Sequence, residues 1–168
     1  GVRVLELTHI AAGPFCGMLL ADLGADVVKV EPPSGDLMRQ WPPLADDGEG
    51  GDFSLNFASL NRNKRSIVAD LKDPAQLADV RRLAASADVL VENYRAGVLD
   101  RLGLGFDQFA ELDRPFVYCS ISGFGRNSPY TQRGAFDVVI QAMSGLMRVT
   151  GEPGRAPVKC GVPVGDFV

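Results

Sequence analysis

The sequence has few residues of the kinds that build disulfide frameworks, metal sites or membrane spans. Its three cysteines, Cys16, Cys119 and Cys160, lie far apart and form no CxxC pair, which favours reduced thiols over disulfides or a zinc site. No apolar run approaches the roughly 20 residues of a membrane helix. A net charge of −4 offers no basic field for nucleic acid. We therefore expect a cytoplasmic globular protein that binds no metal, no membrane and no nucleic acid.

Common catalytic signatures are also missing. His9 is the only histidine, and no GxSxG elbow, HExxH motif or acidic cluster accompanies it. The dinucleotide motif GxGxxG is incomplete after the first predicted strand, where only Gly13 and Gly17 are present and Pro14 removes a backbone donor. Glu31 does occupy the acidic position of that motif. An NAD(P)-binding module therefore stays an outside alternative, and His9 is interpreted as a strand-end residue bonded to the backbone.

What is present is an ordinary globular composition arranged as alternating strands and helices. Hydrophobic residues make up 46% and charged residues 23% of the 168 residues, which is enough for one domain. The predicted strands are 2–7, 25–31, 66–71, 89–91 and 116–121; the predicted helices are 15–23, 106–112, 136–147 and one starting at Pro74, with a surface loop over 32–51. This order predicts an α/β, doubly wound fold with a largely parallel sheet and helices on both faces. Such sheets bind ligands at the carboxyl ends of their strands.

Two local features have both a structural and a functional interpretation. Arg62, Lys64 and Arg65 precede a predicted strand, which fits either a solvated edge or a rim that faces phosphate groups. Asp166 directly follows Gly165, which fits either a simple turn or a carboxylate nucleophile that attacks an electrophilic carbonyl. The residues alone leave both choices open. The chain also begins next to a predicted strand and ends inside another predicted element, so we expect a fragment.

Taken together and in order, the segments resemble the amino-terminal part of a family III CoA-transferase, the CaiB/BaiF or formyl-CoA transferase family. The segments that carry the resemblance are Thr8–Pro14, Leu23–Glu31, Asn61–Ile67, Val91–Gly97, Leu99–Gly103, Ser122–Gly125, Gln141–Gly145 and Val164–Asp166. They cover essentially the whole chain. The resemblance implies that residues 1–168 form a Rossmann-like, CoA-binding domain of a chain more than twice as long. It also implies an interlocked homodimer for the full-length protein.

The resemblance further implies transfer of CoA between an acyl-CoA thioester and a small free carboxylic acid. Asp166 falls at the position of the family's catalytic aspartate, which forms a covalent aspartyl intermediate. Coenzyme A, as acyl-CoA, is the expected substrate. A 2-methylacyl-CoA racemase or epimerase is an alternative, although Phe136 replaces the histidine that such enzymes use as one of two bases. A CoA-binding domain that is inactive when isolated is another.

The same resemblance implies a set of CoA contacts. The expected contacts are Ala11, Ala12, Ala69, Asp70, Leu71, Lys72, Asn93, Tyr94, Arg95, Arg101, Gly134, Ala135, Phe136 and Asp137. Two cationic contacts of relatives are missing, because Pro32 stands in place of an arginine and Gly134 in place of a lysine. Arg39 is the candidate to compensate for the first and Arg133 for the second. The backbone amides around Ala11 are expected to polarise the thioester oxygen.

Overall fold

A computed structural model of the chain describes residues 1–167 and contains seven strands and seven helices in that part. The strands are β1 Arg3–Leu7, β2 Asp26–Glu31, β3 Leu44–Asp46, β4 Asp52–Ser54, β5 Lys64–Val68, β6 Val89–Glu92 and β7 Val117–Ser120. The helices are α1 Ala12–Asp22, α2 Leu55–Asn61, α3 Pro74–Ser86, α4 Val98–Arg101, α5 Asp137–Met143, α6 Leu146–Thr150 and α7 Val164–Phe167. None of these helices is long and apolar enough to cross a membrane.

The main sheet confirms the predicted α/β fold. Its five strands lie in the order β5-β2-β1-β6-β7, and each neighbouring pair is parallel. Strands β3 and β4 form a separate antiparallel pair. Because all five strands of the main sheet run the same way, their carboxyl ends meet at one edge. That edge is where an open parallel sheet binds its ligand.

Several predicted elements differ in extent from those observed. Residues 32–51 are not only a loop, because they contain a 3₁₀ turn over Leu37–Gln40 and strand β3. The predicted helix over 106–112 is reduced to a 3₁₀ turn, Phe106–Gln108. The helix predicted over 136–147 is interrupted between α5 and α6, where Gly145 adopts φ +83°. A left-handed residue cannot continue a right-handed helix, which explains the break.

Local sequence explains where α3 begins and which face it buries. The Asp73 side chain accepts hydrogen bonds from the N–H groups of Ala75 and Gln76, and proline occupies the first helical position. Val80 and Ala84, one turn apart, are buried against the sheet. The helix therefore packs through one apolar stripe, as its sequence predicts.

A cluster of buried charges lies within the sheet and next to its carboxyl edge. Lys29 Nζ donates to Glu6 Oε1 at 3.2 Å and to Thr8 O at 3.0 Å, and it lies 3.0 Å from Asp36 Oδ2. Lys64 Nζ lies 2.8 Å from Glu6 Oε2, an ion pair without hydrogen-bond alignment. Two cations thus balance two carboxylates. We call Glu6, Lys29, Lys64 and Asp36 the buried charge cluster.

The three cations around residue 64 are therefore not a phosphate-facing rim. Arg62 pairs with Asp22 at 2.5 Å, and Arg65 pairs with Asp26 at 2.7 Å. Lys64 belongs to the buried charge cluster and its side chain is only 2% exposed. The solvated-edge interpretation holds for the two arginines and is wrong for the lysine. Each cation is already engaged by a carboxylate of this chain.

Replacing Gly17 with alanine is expected to destabilise the protein by about 1–3 kcal/mol, as overpacking of a tight core does. A Cβ at this position would lie 1.8 Å from Glu6 Oε2 and 2.8 Å from Glu6 Cδ. The Glu6 carboxylate is held by the ammonium groups of Lys29 and Lys64, and it cannot move aside without breaking these ion pairs. Urea unfolding of the two proteins measures the difference. Gly161→Ala is the matched control, because a Cβ there meets nothing within 4 Å and should change stability by less than about 0.5 kcal/mol.

Candidate functional site

The first cleft lies at the carboxyl edge of the sheet and has a volume of about 250 Å³. Its walls come from the β1–α1 loop, the segment after β6, the loop before α5, and α7. Most of the expected site residues line it: Ala11, Ala12, Asn93, Tyr94, Arg95, Gly134, Ala135, Phe136 and Asp166. Segments separated by more than 150 residues in sequence therefore meet around one space.

The second cleft lies beside the first, between the end of β2 and α4, and has a volume of about 320 Å³. The expected contacts that line it are Ala69, Asp70, Leu71, Lys72, Tyr94 and Arg101. Pro32, which stands at the position where the family resemblance implies an arginine, also lines this cleft. Tyr94 belongs to both linings. The two clefts therefore adjoin at this side chain.

The β1–α1 loop is fixed by a reciprocal pair of hydrogen bonds. The His9 N–H donates to Asn93 Oδ1 and Asn93 Nδ2 donates to His9 O, each at 2.9 Å. The next residue, Ile10, adopts φ +66°, which a β-branched side chain rarely does, and its N–H is shared by the two Asp36 oxygens at 3.2 and 3.3 Å. Because Asp36 is itself part of the buried charge cluster, that cluster determines the path of the loop.

This loop delivers the start of α1 to the first cleft. Ala11 and Ala12 line the cleft at the point where the helix begins. The first N–H groups of a helix have no intrahelical acceptor, and the helix dipole makes that end positive. The arrangement therefore suits an oxygen atom that gains negative charge during a reaction.

Asp166 is half-buried in the first cleft. Burial has the largest effect on its pKa and the nearby charge of Asp137 the next largest, and both raise that pKa above its usual range. The next residue, Phe167, packs its ring on that of Phe15 in α1, with the centroids 5.0 Å apart. A carboxylate with a raised pKa is a better nucleophile once ionised. The structure thus places this group where covalent chemistry is feasible.

His9 was interpreted from the sequence as a residue bonded to the backbone, and its main chain is indeed held by Asn93. Its ring also lines the first cleft, where it meets the edge of Tyr94 with centroids 5.5 Å apart. Burial lowers the pKa of His9. A neutral imidazole therefore stands in the same cleft as Asp166, which the sequence did not predict.

Glu92 is a second residue that the sequence analysis missed. It is buried at the end of β6, where its side chain accepts hydrogen bonds from the Tyr94 N–H at 2.8 Å and from Ser120 Oγ. Arg126 Nη2 lies 3.6 Å away, and burial raises the pKa of Glu92. The bond to Tyr94 fixes the backbone of the residue that lines both clefts. Glu92 directly follows the predicted strand 89–91, and that position is the signal in the sequence that could have identified it.

Two of the expected contacts line neither cleft. Arg39 binds both carboxylate oxygens of Glu31 at 2.7 Å, and its guanidinium lies 3.8 Å from the ring centroid of Phe57. Burial would raise the pKa of Glu31, but the hydrogen bonds from Arg39 and Ser66 outweigh it and hold that pKa at about 2. Asp137 instead contacts the backbone next to Asp166. Arg39 is therefore committed to Glu31.

Arg133, the candidate for the second missing cation, does line the first cleft next to Gly134. Its guanidinium lies 4.6 Å from the ring centroid of Tyr130. A Cβ on Gly134 would lie 3.4 Å from Arg95 Nη2, so the absence of a side chain there leaves room for that guanidinium. Within residues 1–167, no group of three or more His, Cys, Asp or Glu side chains is placed to hold a metal ion.

The sequence and the fold of the chain are similar to those of several known proteins. A profile of the family described as CoA-transferase family III matches residues 1–168. The chain is 47% identical to a succinate–glutarate CoA-transferase from Agrobacterium fabrum (strain C58), over 99% of this chain and 42% of that protein. It is 45% identical to the succinyl-CoA:glutarate CoA-transferase of Homo sapiens, over 99% of this chain and 37% of that protein.

A crystal structure of a CaiB/BaiF family protein from Brucella suis is similar over 99% of this chain and 44% of that chain, with a TM-score of 0.93 and 46% sequence identity. The chain thus spans about two fifths of the length of these relatives. Residues within that share line both clefts.

Proposed function

The chain belongs to CoA-transferase family III, and we propose that it is the CoA-binding part of an enzyme that transfers CoA between an acyl-CoA thioester and a free carboxylic acid. The observation that carries the proposal is the position of Asp166. It shares the first cleft with the amino-terminal end of α1, and that cleft adjoins the second through Tyr94. In this assignment the CoA body occupies the second cleft and the thioester reaches Asp166 in the first.

The reaction runs through covalent intermediates on Asp166. An oxygen of its carboxylate attacks the thioester carbonyl carbon, the C–S bond breaks, and CoA leaves as a thiolate. The acyl group is then joined to Asp166 as a mixed anhydride. The thiolate then attacks the aspartyl carbonyl, which releases the first carboxylic acid and leaves an aspartyl-CoA thioester. The acceptor carboxylate repeats these two steps in reverse order, which restores the free Asp166 carboxylate. The difficult exchange is thereby divided into smaller steps.

The β1–α1 loop supplies the electrostatic part of the mechanism. Each attack on a carbonyl places negative charge on its oxygen, and we expect the N–H groups at the start of α1, around Ala11 and Ala12, to stabilise that charge. The buried charge cluster fixes this loop through Asp36. The donors are therefore positioned before the substrate binds, which is what makes such stabilisation effective.

The proposal is tested by isotope exchange in the full-length protein. Succinate and glutarate occur in the names of two relatives, so they are the first acids to test, together with their CoA thioesters. We expect the labelled free acid to be converted to its CoA thioester only when the enzyme is present. Deuterium exchange at C2 of a 2-methylacyl-CoA without any CoA transfer would instead support the racemase alternative. Tight CoA binding without either reaction would show that the protein binds CoA but does not catalyse its transfer.

Arg101→Ala is expected to weaken CoA binding by about 1–3 kcal/mol, since it removes a cation from the second cleft that can pair with a phosphate group. That energy corresponds to a dissociation constant raised roughly 5- to 150-fold. Isothermal titration with CoA measures it. Arg82→Ala is the matched control, because Arg82 is an exposed cation of α3 that pairs with Asp79 and lines neither cleft. Equal affinity of the Arg101 variant and the wild type would place the phosphate groups elsewhere.

The proposal includes an interlocked homodimer and a cytoplasmic location for the full-length enzyme. Support for a covering partner surface comes from large apolar side chains that stay exposed, among them Phe136, which lines the first cleft, at 64% and Val162 at 60%. The remaining part of the chain or a second copy is expected to cover them. Light scattering on the full-length protein measures the oligomeric state.

A further inference from the structure

Asp137 binds the backbone immediately before the proposed nucleophile. It is the first residue of α5, and its Oδ1 accepts a hydrogen bond from the Gly165 N–H at 2.8 Å. Hydrogen bonds from a backbone N–H to a charged carboxylate are stronger than those between neutral groups. The peptide that leads into Asp166 is therefore anchored to a separate helix.

Gln141, one turn further along α5, extends this anchor. Its side chain is fully buried; Nε2 donates to Asp137 Oδ2 at 2.7 Å, and Oε1 accepts from the Cys160 N–H at 2.7 Å. Two side chains of one helix thus hold both ends of the segment 160–165. We call Asp137 and Gln141 together the α5 clamp.

The fit between the clamp and this segment is close. A Cβ added to Gly165 would lie 3.1 Å from Asp137 Oδ1 and 3.5 Å from the Cβ of Ile140. A residue with a side chain would push the segment away from α5. The direction in which the next residue, Asp166, enters the first cleft is thus determined by contact with α5.

We propose that Asp137 is a positioning residue for Asp166, which it serves by holding the Gly165 N–H and by adding negative charge beside the reacting carboxylate. This inference rests on the proposed function, and it replaces the expected role of Asp137 as a CoA contact. Asp137 lines neither cleft, so its action on the reaction runs through Asp166.

The charged and titratable groups that surround Asp166 come from several elements. Asp137 faces it from α5. The same cleft is lined from the β1–α1 loop, the segment after β6 and the loop before α5 by His9, Tyr94, Arg95 and Arg133. Of these, Asp137 is the group that raises the pKa of Asp166, after burial. Removing the Asp137 charge therefore makes the Asp166 proton easier to lose, and the acid limb of activity moves to lower pH.

The experiment compares Asp137→Asn and Asp137→Ala with wild type in the full-length enzyme, using the pH dependence of kcat/KM and separate kcat and KM values. The asparagine keeps an oxygen that accepts from the Gly165 N–H, but it removes the charge and also loses the oxygen that accepts from Gln141 Nε2. Because the charge beside Asp166 is gone, we expect the acid limb of this variant at lower pH. The alanine removes both, and we expect kcat to fall roughly 10- to 100-fold with KM for the CoA thioester nearly unchanged. Asp107→Asn, an exposed aspartate outside both clefts, is the matched control and should match wild type.

Each result has one meaning. An unmoved acid limb in Asp137→Asn, or a loss in Asp137→Ala that is confined to KM, overturns the positioning role. Hydroxylamine trapping of an acyl group on Asp166 is measured in the same samples. Wild-type enzyme that transfers CoA without this adduct would overturn the proposed function itself, whereas a wild-type adduct together with an unmoved pH profile overturns the role of Asp137 alone.

Discussion

Asp166→Ala is expected to abolish CoA transfer in the full-length enzyme, with turnover lowered by roughly 10³-fold or more. The variant has no oxygen nucleophile at the first cleft, so no mixed anhydride forms. CoA binding should stay within about twofold of wild type, because the second cleft lies on the far side of Tyr94 and includes no part of α7. Initial rates and equilibrium titration with CoA measure the two quantities separately.

Two further variants make this result specific. Asp166→Asn keeps the shape of the side chain and is expected to be as inactive as Asp166→Ala, because an amide is not a nucleophile at neutral pH. Asp107→Asn changes an exposed aspartate outside both clefts and should retain full activity. Turnover near the wild-type rate in either Asp166 variant would show that another group attacks the thioester.

Glu6→Ala is expected to lower the free energy of unfolding by roughly 3–5 kcal/mol, the usual cost of removing one partner from a buried ion pair. Lys29 and Lys64 would then keep only Asp36 as a counter-ion, although their side chains are 1% and 2% exposed. Burial already lowers the pKa of Lys64, and Glu6 is the main group that opposes this. Urea unfolding measures the loss of stability.

The matched control for this variant is an exposed ion pair of the same kind. Asp79 pairs with Arg82 on α3 while both side chains are mostly exposed. Asp79→Ala should therefore cost less than about 1 kcal/mol. Similar losses for the two variants would mean that the buried charge cluster does not stabilise the fold. The Glu6 variant is also expected to loosen the β1–α1 loop, which Asp36 holds.

The sheet and most of the site follow from sequence features that act locally. Apolar strands, the Asp73 cap and the glycine and proline breaks determine where elements begin, and parallel strands bring their carboxyl ends together. Residues that directly follow strands, such as Asn93 and Tyr94, therefore reach the clefts as expected. The motif resemblance added Asp166, which no local pattern distinguishes from an ordinary turn.

What the sequence did not predict depends on pairing between distant side chains. Arg39 was expected near CoA but is bound by Glu31, and the sequence does not show which cations find carboxylates on other strands. Lys64 was expected at a solvated edge or at a phosphate-facing rim, but it is buried and paired with Glu6, and lysine is almost never fully buried unless it is paired. The break at Gly145 was missed because the apolar spacing continues across it. Each miss concerns a contact or a backbone angle that only the folded chain determines.

The most direct test of Asp166 as the nucleophile is the mass of the quenched full-length enzyme after brief incubation with succinyl-CoA, followed by peptide mapping. We expect an acyl or CoA adduct, or its hydroxylamine product, on the peptide that contains Asp166, and none in Asp166→Ala. Rapid CoA transfer with an unmodified Asp166 peptide, or an adduct on a different residue, would contradict the assignment of Asp166 as the nucleophile.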